Sequence, residues 1–355
     1  MKNVVIASVK TSVDNMKNRL SSDCNVIGWI DFDKECEDDD SVDSRINKIS
    51  IKELLQEDNI ILAENKTYVD ELNKAGVPRN RVINYQLYVD TTLENPLKGF
   101  SPQHTGLLMG MSHSQCAIDE QKLPYFKYFK LSSPSMDMFC HYGFLKKIIK
   151  DYPCSINNIQ QIIIELPYYI FNYDLSQFGD FVYTKLLYFK LIGDFHHITD
   201  PKINEEFSLY TNIIDKPKPF VRSHAKLKDF LSAIGVTRIR TIYRSITNRD
   251  NVWVKYYKDT VKENISLWEN FLSLVRDNFP NAKLLVLVTP MNSLFRVTHK
   301  EEINKWRTIF YENMKGLDVL DNFELYNNPF LYGDHCHLNS KGGMKYTNYL
   351  KNQLQ

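Results

Sequence analysis

The chain has 355 residues, 43% hydrophobic and 25% charged, a mix that excludes a disordered, collagen-like or coiled-coil protein. Lys and Arg number 44 against 43 Asp and Glu, a net charge of +1. That balance argues against a dedicated nucleic-acid binder, whose phosphate contacts demand a basic excess. The length suggests about two domains, each able to bury its own core.

No apolar stretch approaches the roughly 20 residues of a membrane span. The opening run Val4–Ala7 is too short for a signal-peptide core and reads as a buried first strand. Cys24, Cys36, Cys116, Cys140, Cys154 and Cys336 show no Cys-x-x-Cys spacing. They read as reduced thiols of a cytoplasmic protein.

The first 95 residues alternate strand and helix signals. Strands are expected at Val4–Ala7, Asn25–Ile30, Ile60–Ala63 and Val82–Ile83. Helices are expected at Thr11–Leu20, Ser50–Leu55 and Lys66–Ala75. Ser50 with Glu53 forms a capping-box pattern, and Gly76 followed by Pro78 is a stop signal. The alternation predicts an α/β fold with a Rossmann-like parallel sheet. The loop after the first strand, Ala7-Ser8-Val9-Lys10-Thr11-Ser12, has no glycine for close approach to a pyrophosphate. NAD binding in the usual way is therefore not expected, and an NAD-dependent oxidoreductase is disfavoured. The pattern resembles the N-terminal domains of bacterial sugar-modifying and polysaccharide-biosynthesis proteins.

Residues 1–95 carry 12 basic and 18 acidic residues, and the remainder 32 and 25. The acidic run from Asp31 to Asp40 reads as a solvated loop rather than a metal site, since its spacing fixes no coordination geometry. The basic remainder would favour an anionic substrate or the acidic first domain itself. Pro96, Gly99 and Pro102 mark a domain boundary between Leu93 and Gln103.

From residue 96 a second α/β pattern begins. Strands are expected at Thr105–Met109, Phe126–Leu131, Gln160–Leu166, Lys283–Val288 and Leu317–Leu320. Helices are expected at Met136–Lys150, Thr260–Asn278, Glu301–Met314 and Ser340–Leu350. Residues 175–259 show no strand repeat and read as a mostly helical insertion in this second domain, 96–355. Its Arg238, Arg240, Arg244 and Arg249 read as a solvated helix face, with a phosphate or nucleotide contact the less favoured reading.

Two segments carry chemistry. Gly110-Met111-Ser112 ends an apolar strand where a helix should begin, which lifts the serine hydroxyl out of the sheet edge. Taken by itself that serine is better explained as a helix N-cap, because Gly-x-Ser is very common. Asp334-His335-Cys336-His337 places Asp334 three residues before His337. A carboxylate so placed can hold the imidazole Nδ1–H and leave Nε2 as the base. His335, Cys336 and His337 are also zinc-ligand types. Adjacent residues rarely close a tetrahedral site alone, so no metal is expected. His113 could approach the same site or simply pack on a helix face. His196 and His197 read as surface or packing histidines, and Tyr168, Tyr169 and Tyr173 as packing aromatics or a sugar-binding wall.

Together the two segments resemble the SGNH hydrolase family, the GDSL-like esterases and acyltransferases, over residues 100–355. The Asp-His-Cys-His-Leu-Asn-Ser-Lys-Gly stretch before the last helix carries most of the resemblance. Leu284–Val288 with Thr289-Pro290 is similar to the family's penultimate strand and loop. The resemblance implies a three-layer α/β/α domain with Ser112 as nucleophile, His337 as general base and Asp334 as its orienting partner. It implies oxyanion donors at Ser112, at Ser133 or Ser135, and at Asn172. The chain departs from the family at Met111, where Asp is usual, and at Glu165-Leu166-Pro167, where Gly-x-Asn-Asp is usual. The expected activity is acyl transfer, as an O-acyltransferase or esterase acting on a glycan or nucleotide-sugar of surface polysaccharide or glycoprotein biosynthesis. No tightly bound cofactor is expected, but a transferase would need a donor such as acetyl-CoA. A catalytically inactive binding or assembly protein of a glycan pathway is the competing expectation. The oligomeric state is left open.

Overall fold

The computed structural model describes residues 1–32, 46, 48–56, 58–215 and 260–354. Most of the acidic run, Asp33–Asp40, and the cluster Arg238, Arg240, Arg244 and Arg249 lie outside the described residues. The protein is α/β with two parallel sheets of four and five strands. It divides into two compact units, Met1–Glu94 with Gly179–Val221, and Asn95–Phe178 with Arg222–Gln355.

In the first unit the order is β2 (Cys24–Ile30), β1 (Lys2–Ala7), β3 (Ile60–Ala63), β4 (Val82–Asn84), all parallel. The central strands are continuous apolar runs because helices cover them, and Val4 to Ala7 are fully buried. Ser50 and Glu53 form the expected reciprocal cap: the Ser50 N–H donates to Glu53 Oε2 (2.6 Å) and the Glu53 N–H to Ser50 Oγ (3.4 Å).

The loop after β1 is occupied by a carboxylate of the chain itself. Glu64 accepts the Val9 N–H through Oε2 (3.2 Å) and the Ser12 hydroxyl through Oε1 (2.7 Å). A pyrophosphate would compete with that charge for the same donors.

One expected boundary is corrected. Residues 179–215 group with the first unit rather than inserting into the second domain, and residues 216–259 of the expected insertion lie outside the described residues. Its helix Pro201–Ile213 sets Phe207 and Tyr210 against the Tyr88 ring, with centroids 5.7 and 5.3 Å away. Glu206, nearly buried, pairs with Arg79 (2.5 Å) and accepts the Asn84 N–H (2.6 Å). These contacts tie the helix to β4 and to the turn before it.

The second unit has the parallel order β6 (Tyr128–Ser132), β5 (Gly106–Gly110), β7 (Gln161–Glu165), β8 (Lys283–Val288), β9 (Asp318–Asp321). Side chains alternate across the sheet. Leu108, Ile163 and Leu287 pack with Ala117, Tyr346 and Leu350 of the helices Ser112–Ala117 and Ser340–Gln353. The helices Met138–Asp151 and Val261–Asn278 pack against each other. The chain leaves β5 toward β6, then crosses back to β7. The strand order therefore reverses at β5, which opens a crevice at the carboxyl ends of β5 and β7. No helix among the described residues is long and apolar enough to cross a membrane.

Candidate functional site

The crevice holds the two segments singled out in the sequence. β5 ends at Gly110, and Ser112 opens the helix Ser112–Ala117. Gly110 is required there: a Cβ would lie 2.2 Å from Ser114 Oγ and 2.9 Å from Glu165 Cβ. The turn is fastened by Ser114, whose buried hydroxyl donates to the Met111 carbonyl and lies 3.0 Å from Ser132 Oγ.

The Asp334–His337 turn is held by two asparagines. Asn292 donates its amide to the Asp334 carbonyl (3.1 Å) while its oxygen accepts the Leu294 N–H. Asn339 caps the last helix through the Gly342 N–H (3.0 Å) and donates to the Phe330 and Tyr332 carbonyls.

The two turns meet. His337 Nε2 lies 2.7 Å from Ser112 Oγ, and His337 Nδ1 lies 2.8 Å from Asp334 Oδ2. Asp334 Oδ1 accepts the backbone N–H groups of Cys336 (2.9 Å) and His337 (2.7 Å). Burial raises the Asp334 carboxyl, but the His337 imidazole and these two N–H donors outweigh it and hold it well below the usual carboxylate range. A carboxylate opposite Nδ1 places the proton there and leaves the Nε2 lone pair facing the hydroxyl. Such an arrangement can take a proton from serine and hold the resulting imidazolium.

The other expected residues divide. Ser133 donates its N–H to the Gly110 carbonyl (3.2 Å), extending the ladder by one residue, so it is committed to the sheet and corrected as an oxyanion donor. Ser135 has φ +65°, the left-handed region that favours glycine. Asn172 ends the 3-10 turn Tyr168–Asn172; its buried side-chain oxygen has no hydrogen-bond partner among the described residues. Tyr168, Tyr169 and Tyr173 are all buried, which removes the sugar-wall reading. Tyr168 packs on Phe310 and Phe323 and bonds Asp321, and Tyr173 donates to the Ser135 carbonyl (3.1 Å).

Behind the serine lies a second carboxylate–imidazole pair that sequence reasoning did not assign. Glu165, fully buried at the end of β7, accepts the Met111 N–H (3.0 Å) and the Thr289 hydroxyl (3.3 Å). Its Oε1 is 3.4 Å from His113 Nδ1. Burial raises this carboxyl, but His113 and the Met111 N–H outweigh it and hold it below its ordinary value, so it stands ionised at neutral pH. Glu165 thereby joins the carboxyl ends of three neighbouring strands. The signal available in the sequence was an acidic residue closing a buried apolar run. Glu165→Ala is expected to cost about 3–5 kcal/mol, because it strands a buried N–H and imidazole. Glu165→Gln, which keeps the acceptor, is expected to cost less than half of that; urea midpoints of the two variants check this.

His141, on the helix Met138–Asp151, is fully buried, and neither ring nitrogen is hydrogen-bonded among the described residues. Burial pushes its pKa down from 6.5 to about 4, against the pull of Glu165. Folded His141 thus stays neutral while the unfolded imidazole protonates. Between about 4 and 6.5 the unfolded chain binds more protons, so stability falls as pH drops through that window. His141→Leu is expected to recover about 2–3 kcal/mol of the acid loss between pH 7 and pH 4.5, at about 1.4 kcal/mol per unit. Urea titrations at the two pH values measure it.

No family model matches the chain, and no curated protein matches it.

Proposed function

We propose that the protein is a serine-dependent acyl-transfer enzyme of SGNH type. The supporting observation is the continuous run Ser112 Oγ, His337 Nε2, His337 Nδ1, Asp334 Oδ2, with both links under 3 Å. Ser112 attacks an ester or thioester carbonyl, His337 takes its proton, and the proton passes to the departing alkoxide or thiolate. Water or a hydroxyl of a second substrate then attacks the acyl-enzyme. The Ser112 N–H, in the first helical turn, has no intrahelical acceptor and is assigned to the oxyanion, with the Asn172 amide as a second donor.

The pairing with a parallel-sheet unit resembling those of polysaccharide-biosynthesis proteins favours a glycan or nucleotide-sugar acceptor, with acetyl-CoA as a candidate donor. Cys24, Cys116, Cys140, Cys154 and Cys336 are thiols, which suits a cytoplasmic setting. A fluorophosphonate probe is expected to label the wild type and not Ser112→Ala. Acetyl transfer from acetyl-CoA to a sugar exceeding hydrolysis would identify a transferase, and the reverse an esterase.

The commitment of the Ser133 N–H to the sheet favours one competing reading, a binding or assembly protein that keeps the fold without turnover. Absence of labelling in the folded wild type would establish that reading instead.

A further inference from the structure

Glu165 grips the serine turn on both sides of Ser112. Its Oε2 accepts the N–H of Met111, the residue before the serine (3.0 Å), and its Oε1 lies 3.4 Å from Nδ1 of His113, the residue after it. The His113 ring lies in turn against the His337 ring, with centroids 5.1 Å apart and planes 35° from parallel. One imidazole therefore separates a fully buried carboxylate from His337.

A buried charge is costly unless it is paired. Among the described residues no lysine or arginine pairs with Glu165; its partners are the Met111 N–H, the Thr289 hydroxyl (3.3 Å) and the His113 imidazole. A carboxylate opposite Nδ1 holds His113 in the neutral Nδ1–H tautomer. The negative charge is then not cancelled by its neighbour. It stands one ring away from the place where positive charge arises when His337 takes the Ser112 proton. In a site shielded from water such a charge acts across several ångströms.

We infer that Glu165 is a positioning residue of the acyl-transfer site: it fixes the Ser112 turn through Met111 and supplies, after Asp334, a second counter-charge for the His337 imidazolium. Its effect on rate rests on the acyl-transfer reading; its effect on His337 protonation rests on the geometry alone. The groups facing His337 are Asp334 at Nδ1 (2.8 Å), the Cys336 thiol (3.3 Å from Nδ1), the Ser112 hydroxyl at Nε2 (2.7 Å) and the His113 ring. Those around Glu165 are His113, His141 of the helix Met138–Asp151 and Tyr346 of the last helix. Burial keeps His141 neutral above about 4 and raises the Tyr346 phenol, so neither carries charge at neutral pH.

Nitrogen-15 NMR of the imidazoles in the full chain reads each ring separately, and the pH profile of fluorophosphonate labelling reads the base in action. In the wild type at about pH 8, His113 is expected as the neutral Nδ1–H tautomer. Glu165→Gln keeps the shape and removes the charge. Its oxygen can stay on the Met111 N–H, so its NH₂ faces His113 Nδ1 and moves that ring's proton to Nε2. The His337 titration midpoint should then fall by at least about 0.5 pH unit, because the imidazolium loses a counter-charge, and the labelling profile should move to lower pH with it. The plateau rate should drop at least about threefold, since a weaker base accepts the serine proton less readily. Thr289→Val removes a hydrogen bond to Glu165 but not the charge, and should leave both midpoints within about 0.2 unit. A smaller His337 shift in folded Glu165→Gln overturns the counter-charge. Finding His113 as an imidazolium or as the Nε2–H tautomer in the wild type overturns it too, whether or not the variant folds. An equal shift in Thr289→Val reassigns the effect to packing and likewise overturns it. The expected His337 shift with no labelling of the wild type refutes acyl transfer and leaves the charge coupling standing.

Discussion

Asp334→Asn is expected to lower the acylation rate by about 10⁴-fold while leaving the fold intact. The reason lies in which atoms Asp334 already serves. Its Oδ1 accepts two backbone N–H groups, from Cys336 and His337, and only an oxygen can stay there. An asparagine must therefore turn its NH₂ toward His337 Nδ1. A donor facing Nδ1 moves the imidazole proton to Nε2, where it points at Ser112 and cannot accept the hydroxyl proton. On the acyl-transfer reading, Ser112→Ala removes the proposed attacking atom and should abolish labelling. Labelling rates and urea midpoints, measured together, separate the chemistry from stability. Asp334→Asn should move the rate by orders of magnitude and the midpoint little. A rate within about tenfold of wild type would mean that Asp334 does not set the tautomer.

Gly342→Ala is expected to destabilise the protein by about 3 kcal/mol and to reduce labelling with it. A Cβ at Gly342 would sit 2.1 Å from the Leu331 carbonyl oxygen and 3.0 Å from Leu338 Cδ2. The carbonyl is backbone and accepts the Asn339 N–H (2.9 Å), so it cannot swing aside without pulling on the helix cap. Asn339 stands two residues after His337, and the last helix begins immediately after it. A displacement that relieves the clash therefore moves the Asp334–His337 turn relative to Ser112. Gly333→Ala is the control. Its Cβ would meet only the His337 carbonyl oxygen at 3.9 Å, an ordinary contact, and a change within about 0.5 kcal/mol is expected. Chemical denaturation of both variants, with labelling at a fixed probe concentration, tests the pair. Equal stability of the two would show that the helix start has slack.

Strands buried on both faces were legible because burial makes them continuous apolar runs. β3 and β8 begin and end where the sequence places them, at Ile60–Ala63 and Lys283–Val288. Helix ends were legible where a side chain caps them, as Ser50 and Glu53 do. Ser112, Asp334 and His337 could be named because Gly-x-Ser and Asp-x-x-His are local patterns, each set by one turn. Glu165 could not, because its partners Met111, His113 and Thr289 come from other parts of the chain. Ser133 was misjudged for a related reason. Whether its N–H faces a crevice or a ladder depends on the β5–β6 register, which one residue of slip would reverse.

The sequence by itself determined the α/β class, most strand positions and the residue types available at the two turns, since these follow from hydrophobic periodicity and short-range turn chemistry. Tertiary structure alone decided that 179–215 completes the first unit, that Ser112 and His337 stand 2.7 Å apart, and that Cys336 and His113 lie against the same imidazole. The distinction is one of range. A turn or strand is fixed by neighbours a few residues away. A meeting of residues 225 positions apart is fixed by sheet order and helix packing, which no local pattern records.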